Sequence, residues 1–174
     1  MNNKFNTELI AEVFETNLKS VQTALNVIMK REDITVLTAD VKKDFNTAIG
    51  YLLRIDIKGV DKNGKRYNIE LGFTDEKVRP KIVRYGDTVL NAFGLCGDDC
   101  PEVYQIYVME KDMFGNGLPI YHIESQVINA NVAINDGVHI IFVNGELSDD
   151  KTALGRLVHD FKCENLKDIE ILNV

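Results

Sequence analysis

The chain has 174 residues, 45% of them hydrophobic, with 27 acidic against 20 basic side chains and a net charge of −7. That length and apolar content suit one domain, residues 1–174, with its own core. No run of about 18 apolar residues and no basic-then-apolar leader is visible, so the expected protein is soluble and cytoplasmic, with no membrane partner.

In chain order, "NTELIAEVFETNLKSVQTALNVIM" from Asn6 to Met29 places Leu9, Ile10, Val13, Phe14, Leu18 and Val21 near helical spacing, which predicts one or two amphipathic helices covering a sheet. "DITVLTADV" predicts a short strand. "AIGYLLRIDIKGVDKNGKRYNIELGFT" predicts a hairpin whose turn carries Asn63-Gly64. A helix is expected from about Asp75 through "KVRPKIVRYGDTVLNAF", with Pro80 marking a late start or a kink. "EVYQIYVME", "IYHIESQV" and "GVHIIFVNGEL" predict three further strands, and "DDKTALGRLVHDF" a short terminal helix. The order makes a mixed α/β unit with a β-rich addition after Met109.

Cys96 and Cys100 in "CGDDC" lie too close together for a disulfide framework, and His122, His139 and His159 are too scattered for a finger-like zinc site, so reduced thiols are expected. The acidic balance argues against a nucleic-acid partner, because non-specific affinity comes mostly from Lys and Arg neutralising phosphates. Charge is unevenly distributed, however. Eight of the 20 basic residues fall between Lys58 and Arg84, which leaves open a locally basic face or merely solvated hairpin lysines.

The hairpin raises the chemical question, because Asp56 and Glu70 each stand mid-strand, where apolar residues are the default. A two-residue Asn63-Gly64 loop would set Asp56 opposite Leu71, with Glu70 on the reverse face. A three-residue loop, Lys62-Asn63-Gly64, with Gly64 as the left-handed residue of a bulge, sets Asp56 opposite Glu70. Burial patterning favours the second: it gathers Arg54, Asp56, Lys58, Asn68, Glu70 and Gly72 on one face, leaving Ile55, Ile57, Ile69, Leu71 and Phe73 on the other. Two facing carboxylates repel unless something positive lies between them. Arg54 and Lys58 can do that structurally. A divalent cation such as Mg²⁺, which takes oxygen ligands and needs only one or two protein carboxylates, can do it chemically.

A strand with Asp, a turn and a strand with Glu, preceded by a helix and followed by helix and strand, resembles the restriction-endonuclease-like PD-(D/E)XK fold. The segments "RIDIKGVDKNGKRYNIEL", "PEVYQIYVMEKDMFGNGLPIYHIE", "DGVHIIFVNGE" and "LGRLVHDFKCENLKDI" are similar, in order, to the bacterial PD-(D/E)XK nuclease family transposases. The resemblance implies an α-β-β-β-α-β core, with metal-binding Asp at Asp56 and metal-binding Glu at Glu70. It also implies Mg²⁺ (or Mn²⁺) as cofactor and DNA as partner, and leaves the oligomeric state open, a homodimer included. Where the family carries Gln or Lys to orient the attacking water, this chain has Gly72; Arg54, facing it across the hairpin, or Lys58 would then have to substitute.

Glu12 stands where relatives carry Lys before Val-Phe, and is either a helix-borne acid near the metal or an exposed side chain. Lys77, Arg79, Lys81 and Arg84 are candidates for nucleic-acid contact, Arg84 matching a family Arg before Tyr, or else the solvated side of a helix. His159 and Cys163, i and i+4 if the helix continues, are either a metal pair or packing at the helix end. Two functions follow: a Mg²⁺-dependent DNA endonuclease impaired by Gly72, or a catalytically degenerate nuclease-fold module that binds nucleic acid or protein.

Overall fold

A computed structural model describes residues 4–43, 51–74 and 100–172. The N-terminal periodicity resolves into two helices, α1 (Thr7–Thr16) and α2 (Leu18–Met29), broken at Asn17. Asn17 is extended (φ −139°, ψ 100°); its backbone N–H closes α1 on Val13 O while its side chain caps α2 by accepting from Lys19 N. One residue thus satisfies end groups of both helices.

Six strands form the main sheet: β1 (Ile34–Lys42), β2 (Tyr51–Asp61), β3 (Arg66–Thr74), β4 (Glu102–Met109), β5 (Ile120–Ile123) and β8 (Val138–Asn144). Their order is β1-β2-β3-β4-β8-β5; β1, β2 and β3 run antiparallel, β4 and β8 continue in parallel, and β5 closes the far edge antiparallel to β8. The predicted β-rich addition is therefore not an appendage. β8 and β5 extend the central sheet, and only a small hairpin, β6 (Gln126–Val127) with β7 (Val132–Ala133), stands apart from it. "IYHIESQV" was expected as one strand and divides between β5 and β6. The helix expected from Asp75 lies outside the described residues.

α1, α2 and a terminal helix α3 (Ala153–Asp160), capped by Thr152 Oγ1 accepting from Gly155 N, bury their apolar sides in one core. That core takes Leu53, Ile55 and Ile57 from β2 and Ile69, Leu71 and Phe73 from β3. At its centre the fully buried Phe161 packs edge-on against Phe73, ring centroids 4.9 Å apart, with Phe5 and Phe14 also edge-on to it. Gln22 pins α2 to the edge strand β1, donating to Ile34 O and accepting from Val36 N, both at 2.8 Å, so part of that exposed edge is already bonded. A smaller apolar cluster, Tyr107, Met109, Ile140 and Phe142, covers the opposite face at the β4–β8 side.

Among the described residues no helix is long and apolar enough to cross a membrane. Cys100 is disulfide-bonded, so of the expected reduced thiols the described residues retain only Cys163.

The hairpin loop is the three-residue form. Asp61 and Lys65 pair, with Asp61 N donating to Lys65 O at 3.0 Å, Gly64 N donating to Asp61 O at 3.0 Å, and Gly64 in the left-handed region at φ +83°. Gly64→Ala is therefore expected to lower the unfolding free energy by about 1–2 kcal/mol, and Gly64→Asn by less, because Asn tolerates this conformation better. Urea denaturation followed by far-UV circular dichroism checks this; equal stability of the three proteins would contradict it.

Candidate functional site

The loop geometry sets the register of the whole hairpin. Asp56 lies directly opposite Glu70, and Arg54 opposite Gly72. The even phase of each strand faces away from the helices, so Arg54, Asp56 and Lys58 share a face with Asn68, Glu70 and Gly72, and Ile55, Ile57, Ile69 and Leu71 enter the core. The two acids that sequence patterning placed together are together.

Arg54 lies between them. Its Nη2 donates to Asp56 Oδ2 at 3.1 Å, its Nε lies within ion-pair range of Asp56 Oδ1 at 3.0 Å, and Nη1 stands 3.7 Å from Glu70 Oε2. The side chains of Arg54 and Glu70 are 23% and 20% exposed and that of Asp56 is 41% exposed, so the ion pairs are only partly desolvated. Screening limits such a pair to about 0.2–1 kcal/mol. Lys58 is exposed on the same face, pairing in register with Asn68 and Thr38 rather than with an acid.

The acid row is longer than the sequence suggested. On the β1 side Asp56 faces Asp40, an exposed carboxylate paired with Lys42. A bulge between Val36 and Thr38 causes this: Ile34 and Val36 point into the core, Leu37 is the extra, exposed residue, and beyond it Ala39 and Val41 resume the inward phase while Asp40 turns outward. No pattern in "DITVLTADV" announces that phase change, because either phase leaves apolar residues on one side.

On the β4 side Glu70 is in register with Gln105. Gln105 is 2% exposed, and its Oε1 is buried with no hydrogen-bond partner. A buried polar atom left unsatisfied costs about 1–3 kcal/mol. The sequence did carry a signal for it: β4 is a parallel strand buried on both faces, which normally reads as a continuous apolar run, and Gln105 interrupts it.

Other predicted residues fall elsewhere. Glu12 is exposed on α1, whose buried side packs on the apolar face of the sheet, away from the two acids. Lys77, Arg79, Lys81 and Arg84 lie outside the described residues. A cavity of about 700 Å³, lined by Lys30, Glu32, His122 and Asp149 among others, is also on the helix side, because His122 pairs with the core residue Ile141.

His159, Asp160 and Cys163 bring ligand atoms within 4.8 Å of one another. Their bonds are nevertheless structural. Asp160, 1% exposed, accepts from the backbone N–H groups of Glu170, Ile171 and Leu172 at 2.8–2.9 Å and so ties the C-terminal strap to α3. Cys163 Sγ donates to Asp168 O at 3.2 Å. Burial first, and then the neighbouring carboxylates of Asp160, Asp168 and Glu170, push the Cys163 thiol up to about 11.

Two outcomes are expected. In a double-mutant cycle, Arg54→Met should destabilise by about 0.5–1 kcal/mol, and Asp56→Asn should cost less in the Arg54→Met background than alone; additive effects in urea melts would show that the ion pair contributes nothing. With burial holding the Cys163 thiol well above the usual thiol range, iodoacetamide should modify Cys163 slowly at pH 8 in the native protein and rapidly after denaturation, read by peptide mass spectrometry.

Comparison with known proteins adds no assignment: no family model matches the chain, and no curated protein and no solved structure matches it.

Proposed function

We propose that this chain is a metal-dependent DNA endonuclease of the PD-(D/E)XK type, related to the transposase-associated nucleases its sequence resembles. The carrying observation is the direct cross-strand placement of Asp56 and Glu70 on one face of the central hairpin. The order of a helix, an antiparallel β1-β2-β3 unit and a parallel β4 is compatible with that fold.

The donor set fits a small hard cation. Two carboxylates face each other, and on the strand next to Glu70 the buried Oε1 of Gln105 lacks a hydrogen bond, all oxygen ligands of the kind Mg²⁺ or Mn²⁺ takes. Asp56 and Glu70 would hold the cation, which in this reaction class supplies Lewis acidity and a lowered pKa to water. Arg54, a poor proton acceptor but a good charge clamp, would offset negative charge building on a phosphate. Lys58 and, from the sequence, Lys77, Arg79, Lys81 and Arg84 would bind the DNA backbone.

A second reading is favoured by a specific observation. Gly72 supplies no side chain where the family has Gln or Lys, and Arg54 already neutralises Asp56 by two contacts. On that reading the chain is a degenerate module that binds nucleic acid or protein without cutting.

Purified protein incubated with supercoiled plasmid and Mg²⁺ or Mn²⁺ separates them. The nuclease reading expects nicking that falls by at least about 10²-fold in Asp56→Ala and Glu70→Ala. Equal nicking by all three proteins would remove the site assignment, and retention of plasmid in a gel-shift assay without nicking would establish the binding module.

A further inference from the structure

We infer that Gln105 is a third protein group of the cation site, its Oε1 facing the divalent cation held by Asp56 and Glu70. The inference rests on the nuclease reading above and extends it to a residue outside the Asp/Glu motif.

Three observations converge. First, Gln105 and Glu70 are register partners on adjacent parallel strands, so their side chains leave the sheet on the same face, with their strands about 4.8 Å apart. Glu70 is in turn the register partner of Asp56. The carboxylate, carboxylate and carboxamide therefore form one unbroken row across β2, β3 and β4.

Second, Gln105 is 98% buried in a strand whose neighbouring side chains on that face, Val103, Tyr107 and Met109, are all buried. An isosteric Met or Leu would fill such a position without a desolvation cost, so packing alone does not account for an amide. Third, the Oε1 is buried and unsatisfied. A buried oxygen without a donor, one strand over from Glu70, suits a divalent cation as a hard, neutral ligand that adds no further repulsion between the carboxylates.

The placement also bears on Gly72. In register, Gly72 faces Tyr107 of β4, two residues beyond Gln105. A polar group missing from β3 is thus flanked by one supplied from β4, on the same face and one row away. Gln105 cannot serve as a base, since an amide does not take up a proton near neutral pH, so its role is to hold the cation and the water around it.

Mn²⁺ titration by calorimetry, with cation-free protein and no nucleic acid present, tests this without relying on activity. Wild type should bind one Mn²⁺, and Asp56→Ala and Glu70→Ala should abolish the heat. Gln105→Met, which keeps the volume and removes the oxygen, should weaken Kd by about 10-fold or more. Gln105→Glu, which restores an oxygen, should bind at least as tightly as wild type. Melting curves in EDTA confirm that each variant is folded, and Gln105→Asn, which retracts the oxygen by one methylene, serves if Gln105→Met does not fold and should also bind more weakly. Unchanged affinity in the folded Gln105 variants would overturn the inference while leaving the Asp56/Glu70 site intact. Absence of Mn²⁺ binding to wild type, or binding indifferent to Asp56 and Glu70, would overturn the nuclease reading and this inference with it.

Discussion

The core and the acid face both depend on the register of β2 against β3, and that register depends on three loop residues ending in Gly64. Pairing Asp61 with Lys65 puts Ile55, Ile57, Ile69, Leu71 and Phe73 under the helices. A slip of one residue in either strand would exchange its faces. Burying such a side chain is worth about 1.5–3 kcal/mol, so exposing even the two or three of one strand, while pushing Asp56 or Glu70 into the core, would cost on the order of the whole stability of a domain. The acids are therefore held opposite each other by the hydrophobic core beneath them. Their own repulsion, mitigated by Arg54, is a small perturbation on that constraint.

The face that carries the acids is not uniform. Over β1, β2 and β3 it is charged, with Asp40, Lys42, Arg54, Asp56 and Glu70; over β4 and β8 it is apolar and aromatic, with Tyr107 stacked on Phe142 and Ile140 beside them. The boundary runs between Glu70 and Gln105. A carboxylate at such a boundary is open to solvent on one side and to a poorly polarisable surface on the other, where charge interactions are screened less than at an open surface. A neutral amide is the polar group that such a boundary tolerates best, which explains why the row of charge ends in Gln105 rather than in another acid.

The hairpin was legible to the residue, because turn chemistry and alternation constrain it twice and agree. The helix pair and the strands β1, β4 and β8 were legible from periodicity. Strand order was not: nothing in "GVHIIFVNGEL" says that it pairs parallel with β4 rather than forming a separate β-rich unit, since pairing partners are chosen by tertiary packing. Asp40 was hidden by the bulge at Leu37, whose single extra residue changes which side chains face outward. Gln105 stood in plain view as a polar residue in a buried run, but its relation to Glu70 needs the parallel register, which local sequence does not encode. Glu12 illustrates the reverse: a candidate helix-borne acid can sit on a helix that packs on the other side of the sheet.

Two features argue against catalysis, and their magnitudes differ enough to rank them. The Arg54 ion pairs are partly exposed and worth about 1 kcal/mol at most, so displacing the guanidinium would weaken cation binding by only about fivefold. On the proposed nuclease reading, an ion pair this weak would let Arg54 exchange Asp56 and Glu70 for a phosphate at little cost. Loss of a group that stabilises the transition state is costlier, about 10²–10³ in rate. On the proposed nuclease reading, Gly72 rather than Arg54 would then be the residue that separates cutting from binding, and the outcome would turn on whether neighbouring strands supply what β3 lacks. Arg54 lies across from Gly72 on β2, while Gln105 occupies the adjacent row on β4. Between them they offer charge and a coordinating oxygen, the two properties a lysine or glutamine at position 72 would contribute, but neither offers a proton acceptor. A site built this way would depend on the cation itself to activate water, and its rate would track the acidity of the metal supplied more steeply than in an enzyme with its own polar residue at that position.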